Sequence, residues 1–526
     1  MSFCSARPAF RRAFVAALAC LLTFPAAVSL SAQAPVATFH VTTRIVVLDV
    51  VVKDKKGNII TNLSKNDFTV LEDRQPQTIR TFEPPSAHVM PPDTANQLVV
   101  TSAADLPKIG DAPITILVLD ELNTQFSDMA YARHELEKYL LAQPDILKQP
   151  TALLVASNTR FQLLQDFTQK RADVLSALKK HFPEYPWKLQ QSGKSGPGAA
   201  ERIAQSMASL LQIAEATRGT RGRKNVIWVG VNAPGVDLVG ADPVTIKVMG
   251  DLTRRLTQTL LADRVTLNYI NPTANDSSTV GLMVGDDDDA TMVDTDPFGA
   301  DVDFNQFAPA TGGQILFSRN DIDAEIKTTI DQGSNYYTLS YSPTNANEDA
   351  AKYRNIRIKM SNPDLIAVTR EGYYPESANA NNSAADTTLT EDQRKKFLQL
   401  DLSQAATSTI EYNGLPITAK PGPDAATWTI TVPANTLSWT PRTDGSLFAE
   451  VTSMSVAFDK PAKDGKSHLL AHQAKEVQAV RKVGEAPPDL VEFQVPVTIP
   501  KGAKRLRFVI RDAVSGKIGT ADAMLP

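Results

Sequence analysis

An apolar run that ends in an acidic residue constrains this chain more than any other feature. Residues 114–119 are all Ile, Thr, Leu or Val, and Asp120 follows them. A short run of this kind is typical of a parallel strand, because helices cover both faces of such a strand. In open α/β sheets, ligands bind beyond the carboxyl ends of the strands. The run therefore predicts a buried strand with a functional edge at Asp120.

Strand and helix patterns alternate over residues 113–333. In the helix predicted near 127–142, for example, Met129, Ala132 and Leu136 recur at helical spacing. Strands that alternate with helices indicate βαβ units. We therefore predict an α/β domain over 113–333, built on a doubly wound, mostly parallel Rossmann-like sheet.

Shorter β-rich segments flank this domain. Residues 35–84 form an N-terminal β unit, and residues 334–375 contain further strands. Each segment has apolar faces that need covering, so we expect the two to pair into one sandwich. Residues 399–526 show short alternating strands between turns, which predicts a separate C-terminal antiparallel β-sandwich. The polar, aperiodic residues 85–112 and 376–398 are predicted linkers.

The N-terminus has the pattern of a secretory signal. Arginines precede an apolar segment and small residues follow it, so we predict that residues 1–34 are cleaved. An uncleaved anchor and lipidation at Cys20 are the alternatives. The two cysteines of the chain, Cys4 and Cys20, both lie within this signal. The mature chain would therefore contain no disulfide and no thiol nucleophile.

The composition argues against two classes of interaction, with nucleic acids and with the interior of a membrane. The net charge is −4, the pI is about 6.0 and no extended basic patch is evident, so we do not expect a nucleic acid as the partner. No segment after the signal is long and apolar enough to predict a membrane span. We therefore expect an exported protein of the periplasm, cell surface or extracellular space.

Asp120 and Thr124 are the candidate metal ligands. Carboxylate and hydroxyl oxygens suit Mg²⁺ or Ca²⁺, and a hydroxyl two residues after Asp120 would offer a further ligand, but Leu122 occupies that position. The alternative is that Asp120, Asn123 and Thr124 cap the following loop and helix through hydrogen bonds to the backbone. The sequence makes no cofactor certain.

Two charged segments each have more than one interpretation. Residues 286–303 contain eight aspartates, which would either bind Ca²⁺ or form a solvated loop. Residues 218–224 form a basic turn, which would contact this acidic loop, contact an acidic partner, or lie in solvent.

Three groups of residues together resemble a known family. They are residues 114–124, the Gly-Arg-Lys-Asn-Val-Ile-Trp of 222–228 and the Ala-Thr-Gly-Gly of 310–313, which are similar to a von Willebrand factor A-like domain. More closely, about 35–375 resembles the VWFA-related domain proteins of acidobacteria, an exported group. Arg370-Glu371-Gly372-Tyr373 closes this similarity.

The resemblance implies a protein-binding role in adhesion or assembly rather than catalysis, and we predict no catalytic residue. In this family the ligand binds at the strand ends, often through a metal ion. The candidate ligand face is therefore Asp120, Asn123, Thr124, Gln125 and Asn232. Two alternatives remain: a metal-dependent adhesion module that uses Asp120 and Thr124, and an enzyme that acts on cell-envelope polymers.

Overall fold

The structure is a computed structural model of the chain. It describes residues 45–91, 98–192, 197–231, 236–237, 243–273, 301–302, 304–317, 321–344, 353–375, 391–424, 426–460, 467–486 and 488–526. The predicted signal, most of the acidic segment 286–303, and Asn232 lie outside the described residues.

The chain forms two compact units. The first runs from the described start of the chain to Ala214 and then from Thr220 to Pro375. The second comprises Glu215–Gly219 and the described residues after Pro375. Within the segments that the structure describes, no helix has the length and apolar character that crossing a membrane requires.

The first unit contains strands of both the β segments and the α/β domain. These strands are β1 (Val46–Asp54), β2 (Phe68–Glu72), β3 (Gln75–Gln77), β4 (Ile79–Glu83), β5 (Ile114–Asp120), β6 (Ile146–Ala156), β7 (Phe161–Lys170), β8 (Lys224–Val229), β9 (Val236–Asp237), β10 (Val265–Asn271), β11 (Asp301–Val302), β12 (Ile315–Phe317), β13 (Tyr337–Tyr341), β14 (Arg354–Met360), β15 (Leu365–Val368) and β16 (Gly372–Tyr373).

Its helices alternate with the strands of the α/β domain. They are α1 (Phe126–Leu141), α2 (Arg171–Lys180), α3 (Trp187–Ser192), α4 (Pro197–Thr217), α5 (Pro243–Ala262), α6 (Phe307–Ala310) and α7 (Ile322–Ser334). The end of α4, from Glu215, belongs to the second unit.

A six-stranded sheet of order β7-β6-β5-β8-β10-β12 lies at the centre of the α/β domain. All its pairs are parallel except β6 with β7. Every residue of β5, β8 and β10 is buried, because helices cover the sheet. On one face, Leu117 and Ile227 pack with residues of α1, α2 and α7. The prediction of a mixed α/β fold with a mostly parallel sheet is confirmed.

Strands from before and after the α/β domain share two further sheets. Their orders are β15-β1-β13-β4 and β16-β14-β2-β3, and the pairs are antiparallel. Residues of both sheets, among them Leu48, Val70 and Leu339, form one buried core. The chain thus leaves this two-sheet β unit after β4, builds the α/β sheet, and returns at β13.

The segment 85–112, which we predicted as a linker, contains two short 3-10 helices. They are Pro85–His88 and Ala103–Ile109, and Leu106 and Ile109 of the second are buried. The backbone N–H of nearby Val100 donates to the side chain of Gln169 in β7 at 2.9 Å. The segment has no helical or strand periodicity, so its few anchoring residues were not recognisable in the sequence.

Part of the basic turn at 218–224 is also buried. Arg223 and Lys224 expose only 4% and 2% of their surface. The Nε of Arg223 donates to the hydroxyl of Thr266 at 2.9 Å, and its guanidinium lies 5.3 Å from the ring centre of Tyr336. The last two residues of the turn therefore belong to the interior of the first unit and not to solvent.

The described residues of the second unit contain, besides the end of α4, a further α-helix and two antiparallel sheets. The helix α8 (Glu391–Thr407) begins inside the segment predicted as a second linker. The strands are β17 (Thr418–Pro421), β18 (Thr427–Pro433), β19 (Thr440–Pro441), β20 (Leu447–Phe458), β21 (Leu469–Arg481), β22 (Leu490–Pro496), β23 (Arg505–Asp512) and β24 (Ile518–Met524). Ile430 and Phe493 of one sheet share a buried cluster with Val451 and Phe508 of the other.

Candidate functional site

The predicted site lies where the carboxyl ends of β5 and β8 meet. These strands are neighbours at the centre of the sheet, and the chain continues from them toward opposite edges. Such a reversal of strand order is where open α/β sheets form their ligand crevice. Residues 121–125 connect β5 to α1 at this point.

Among the described residues, every hydrogen bond to the carboxylate of Asp120 comes from an N–H group. Its Oδ1 accepts from the backbone of Leu122 at 3.1 Å and of Asn123 at 3.0 Å. Its Oδ2 accepts from the Asn123 amide and from the indole of Trp228, both at 3.0 Å. Burial raises the pKa of Asp120 to about 6, although these donors favour the charged form.

A buried arginine completes this network from α4. The Nε of Arg202 donates to the Oδ1 of Asn123 at 3.2 Å, and the Asn123 amide also donates to Ser206 at 3.2 Å. The Nη1 of Arg202 donates to the carbonyl of Gly198 at 3.3 Å. Arg202 and Ser206 are completely buried. Burial lowers the pKa of Arg202, and the charge of Asp120 opposes that change.

Thr124 connects the loop to the end of β8. Its Oγ1 accepts a hydrogen bond from the backbone N–H of Val231 at 2.8 Å. The preceding Gly230 lies so close that a Cβ there would be 2.5 Å from this oxygen and 2.6 Å from the Cβ of Asp120. The two strand ends approach each other this closely because Gly230 has no side chain.

Three of the five predicted ligand-face residues are beneath the surface. Asp120, Asn123 and Thr124 expose at most 3% of their area, so they support the edge of the sheet and do not form its outer surface. Gln125 is exposed, and Asn232 lies outside the described residues.

The residues at this position do not fit a divalent metal ion. A metal needs free oxygen lone pairs, whereas the two oxygens of Asp120 already accept from four different N–H donors. The hydroxyl of Thr124 accepts from Val231, and the side chain of Leu122 has no oxygen. In the described part of the chain, no group of three or more His, Cys, Asp or Glu side chains is arranged to hold a metal.

Sequence reasoning missed a second carboxylate at the same edge. Glu121 is 1% exposed, and its Oε1 is 2.7 Å from the Nε2 of His181. Its Oε2 accepts from the backbone N–H of Glu184 at 2.9 Å. Glu121 therefore fixes the chain that leaves α2 to the carboxyl end of β5.

The end of β6 holds the same stretch of chain. The amide of Asn158 donates to the carbonyl of Tyr185 at 3.0 Å, and its oxygen accepts from the backbone of Lys188 at 3.3 Å. The hydroxyl of Thr159 donates to the carboxylate of Glu184 at 2.7 Å. Residues 182–187 (Phe-Pro-Glu-Tyr-Pro-Trp), which we call the aromatic segment, are thus fixed to two neighbouring strand ends.

The aromatic side chains of this segment are nevertheless exposed. Phe182 is 86%, Tyr185 57% and Trp187 44% accessible. Phe126, at the start of α1, is 48% accessible. The spacing of aromatic and proline residues is visible in the sequence, but only the contacts to Glu121 and Asn158 place the segment at the carboxyl edge of the sheet.

Comparison with known proteins gave limited similarity. No protein-family model and no curated protein matches the chain. Proximal thread matrix protein 1 from the mussel byssus is similar over 43% of this chain, with 13% identity and a TM-score of 0.25, and the alignment spans about half (49%) of that protein. The VWA domain of SpRpn10 aligns over 31% of this chain and 90% of its own length, with 11% identity and a TM-score of 0.17. Scores at this level do not establish a family.

Proposed function

We propose that this chain is an exported, non-enzymatic protein-binding module that acts in adhesion or assembly. Its binding surface would be the carboxyl edge of the α/β sheet, which in this proposal belongs to a von Willebrand factor A-like domain followed by a C-terminal β-sandwich. The observation that carries the proposal is the aromatic segment, whose backbone is fixed while its side chains face solvent.

The chemistry of the segment suits a protein partner. Tyr, Trp and Phe are enriched at the centres of protein interfaces, because they bury a large area and lose little side-chain entropy. A backbone that is already fixed reduces the entropy lost on binding. Glu121 and Asn158 supply that fixation through four hydrogen bonds.

The order of the sheet supports the doubly wound fold class to which we assign the von Willebrand factor A-like domain. Counting strands along the α/β domain from β5 and leaving aside the short β9 and β11, the order is 3-2-1-4-5-6, as in doubly wound nucleotide-binding folds. Asp120 ends the first strand, where the resemblance to that family requires an aspartate. The alternative of a metal-dependent module at Asp120 and Thr124 is not favoured, because N–H donors already bind both carboxylate oxygens of Asp120.

A capture experiment tests the proposal. The immobilised protein is exposed to an envelope extract of the organism that produces it, and bound protein is quantified for the wild type and for Phe182→Ser and Trp187→Ala. Val483→Ser is the control, since Val483 is 69% exposed but lies in the second unit. We expect a partner that the control retains and both aromatic variants lose. Equal capture by all four proteins would contradict the proposed surface.

A further inference from the structure

The charge balance around Asp120 differs from that of a metal site. A buried carboxylate is stable when hydrogen bonds and a positive charge compensate it. Here the hydrogen bonds come from the loop and from Trp228. Arg202, which is buried on α4, brings a positive charge into this network through Asn123, and the charge of Asp120 acts on it.

We propose that Arg202 supplies, within the chain itself, the positive charge that a divalent cation would otherwise bring to the carboxyl edge. Asn123 connects the two charges, because its amide donates to Asp120 and its carbonyl accepts from Arg202. The edge is therefore assembled without a metal ion. This inference is independent of which partner the edge binds.

The geometry explains why an arginine suits this position. Arg202 and Ser206 are four residues apart on α4, so they lie on one face of the helix. Both contact the side chain of Asn123, one as a donor and one as an acceptor. The fork of the guanidinium also reaches the carbonyl of Gly198, which Lys would not reach in the same way.

The position of Leu122 is consistent with this arrangement. Its side chain is 1% exposed, so an apolar group fills the position where a metal site would need a hydroxyl. Its backbone N–H still donates to Asp120. At position 122 the loop therefore contributes an N–H donor to the carboxylate and no side-chain oxygen.

If the Arg202 guanidinium has this role, a free guanidinium compound should compensate for its removal. We expect Arg202→Ala to have a lower Tm than the wild type and to recover part of the loss in millimolar ethylguanidinium chloride, compared with equal NaCl. Wild-type protein and Ser206→Ala, which loses a contact to Asn123 but no charge, should show no such recovery. Absence of recovery in Arg202→Ala would overturn the proposal.

A second pair of variants covers the case in which Arg202→Ala does not fold. Arg202→Lys keeps the charge and Arg202→Met keeps only the length, so we expect a higher Tm for the Lys variant. Equal values would mean that Arg202 acts through packing alone.

Thermal unfolding of the wild type and of Asp120→Asn in EDTA, Mg²⁺ and Mn²⁺ completes the test. A metal-induced rise in Tm that Asp120→Asn abolishes would contradict an edge assembled without metal.

Discussion

At the scale of single residues, hydrogen bonds from buried polar groups fix the loop after β5. Asp120 accepts from Leu122, Asn123 and Trp228, and Thr124 accepts from Val231. A buried polar group without a partner costs about 1–3 kcal/mol. Small changes here should therefore have large effects on stability.

Gly230→Ala tests the close approach of the two strand ends. The new Cβ would lie 2.5 Å from the hydroxyl of Thr124, so we expect a loss of about 1–3 kcal/mol in the free energy of unfolding. Gly250→Ala is the control, because a Cβ there would have no atom within 4 Å apart from adjacent residues and the backbone of its own helix. Alanine also stabilises the interior of a helix relative to glycine. Chemical denaturation of both variants measures the difference. Equal stabilities would show that the strand ends are farther apart than described.

His88 predicts a pH dependence of stability. Its side chain is buried, its Nε2 is 3.0 Å from the hydroxyl of Thr338, and its ring stacks on Tyr336. Burial, and next the charge of Arg264, lower the pKa of His88 below its usual 6.5. On acidification the unfolded chain therefore binds a proton before the folded chain does, and the folded state loses stability as the pH falls below about 6.5.

The variant His88→Phe isolates this contribution. Phenylalanine keeps a ring against Tyr336 but cannot bind a proton, so its stability should fall less than that of the wild type between pH 7 and pH 5. Urea denaturation at each pH gives the comparison. Parallel curves for the two proteins would show that His88 is not the titrating group.

At the scale of elements, the local pattern of apolar residues predicted the strands of the sheet, but it did not predict the distant residues that stabilise the edge of the sheet. The apolar run at 114–119 identified β5, and helical spacing of apolar residues identified α1, because each pattern reports burial directly. Arg202 and Trp228 lie 82 and 108 positions beyond Asp120, and only the tertiary fold brings them to it. The aromatic segment was visible as sequence, but its attachment to Glu121 depends on the same long-range contacts.

The 3-10 helix Ala103–Ile109 allows a test at this scale. Ile109 is 1% exposed, so Ile109→Ala should destabilise the first unit by about 2–5 kcal/mol. A residue in a surface linker would change stability by less than about 0.5 kcal/mol. Ala104→Ser, at an exposed position of the same helix, is the control. Similar stabilities of the two variants, measured by thermal unfolding, would support the linker interpretation instead.

At the scale of the whole molecule, the two-sheet β unit depends on strands that are distant in sequence. β1 pairs with β13, and β2 pairs with β14. A strand without its neighbour exposes hydrogen-bonding groups that favour aggregation. The strands before the α/β domain therefore need the strands after it to complete their sheets.

Two truncations test this dependence. A chain that ends at Pro375 keeps every described strand of the first unit, and we expect it to be monomeric and to unfold cooperatively. A chain that ends at Thr344 lacks β14, β15 and β16, so β2 loses its main partner and we expect aggregation. Size-exclusion chromatography distinguishes the two results. A monomeric, folded shorter chain would show that the later strands are dispensable.

Photo-crosslinking from position 182 tests whether the aromatic segment is a binding surface. A photo-reactive amino acid replaces Phe182 in one protein and Val483 in another, and each is irradiated in the cell envelope of the producing organism. We expect a covalent adduct to one protein from position 182, weakened by Trp187→Ala, and none from position 483. Adducts that are the same from both positions, or no adduct from position 182, would contradict a binding surface at the carboxyl edge of the sheet.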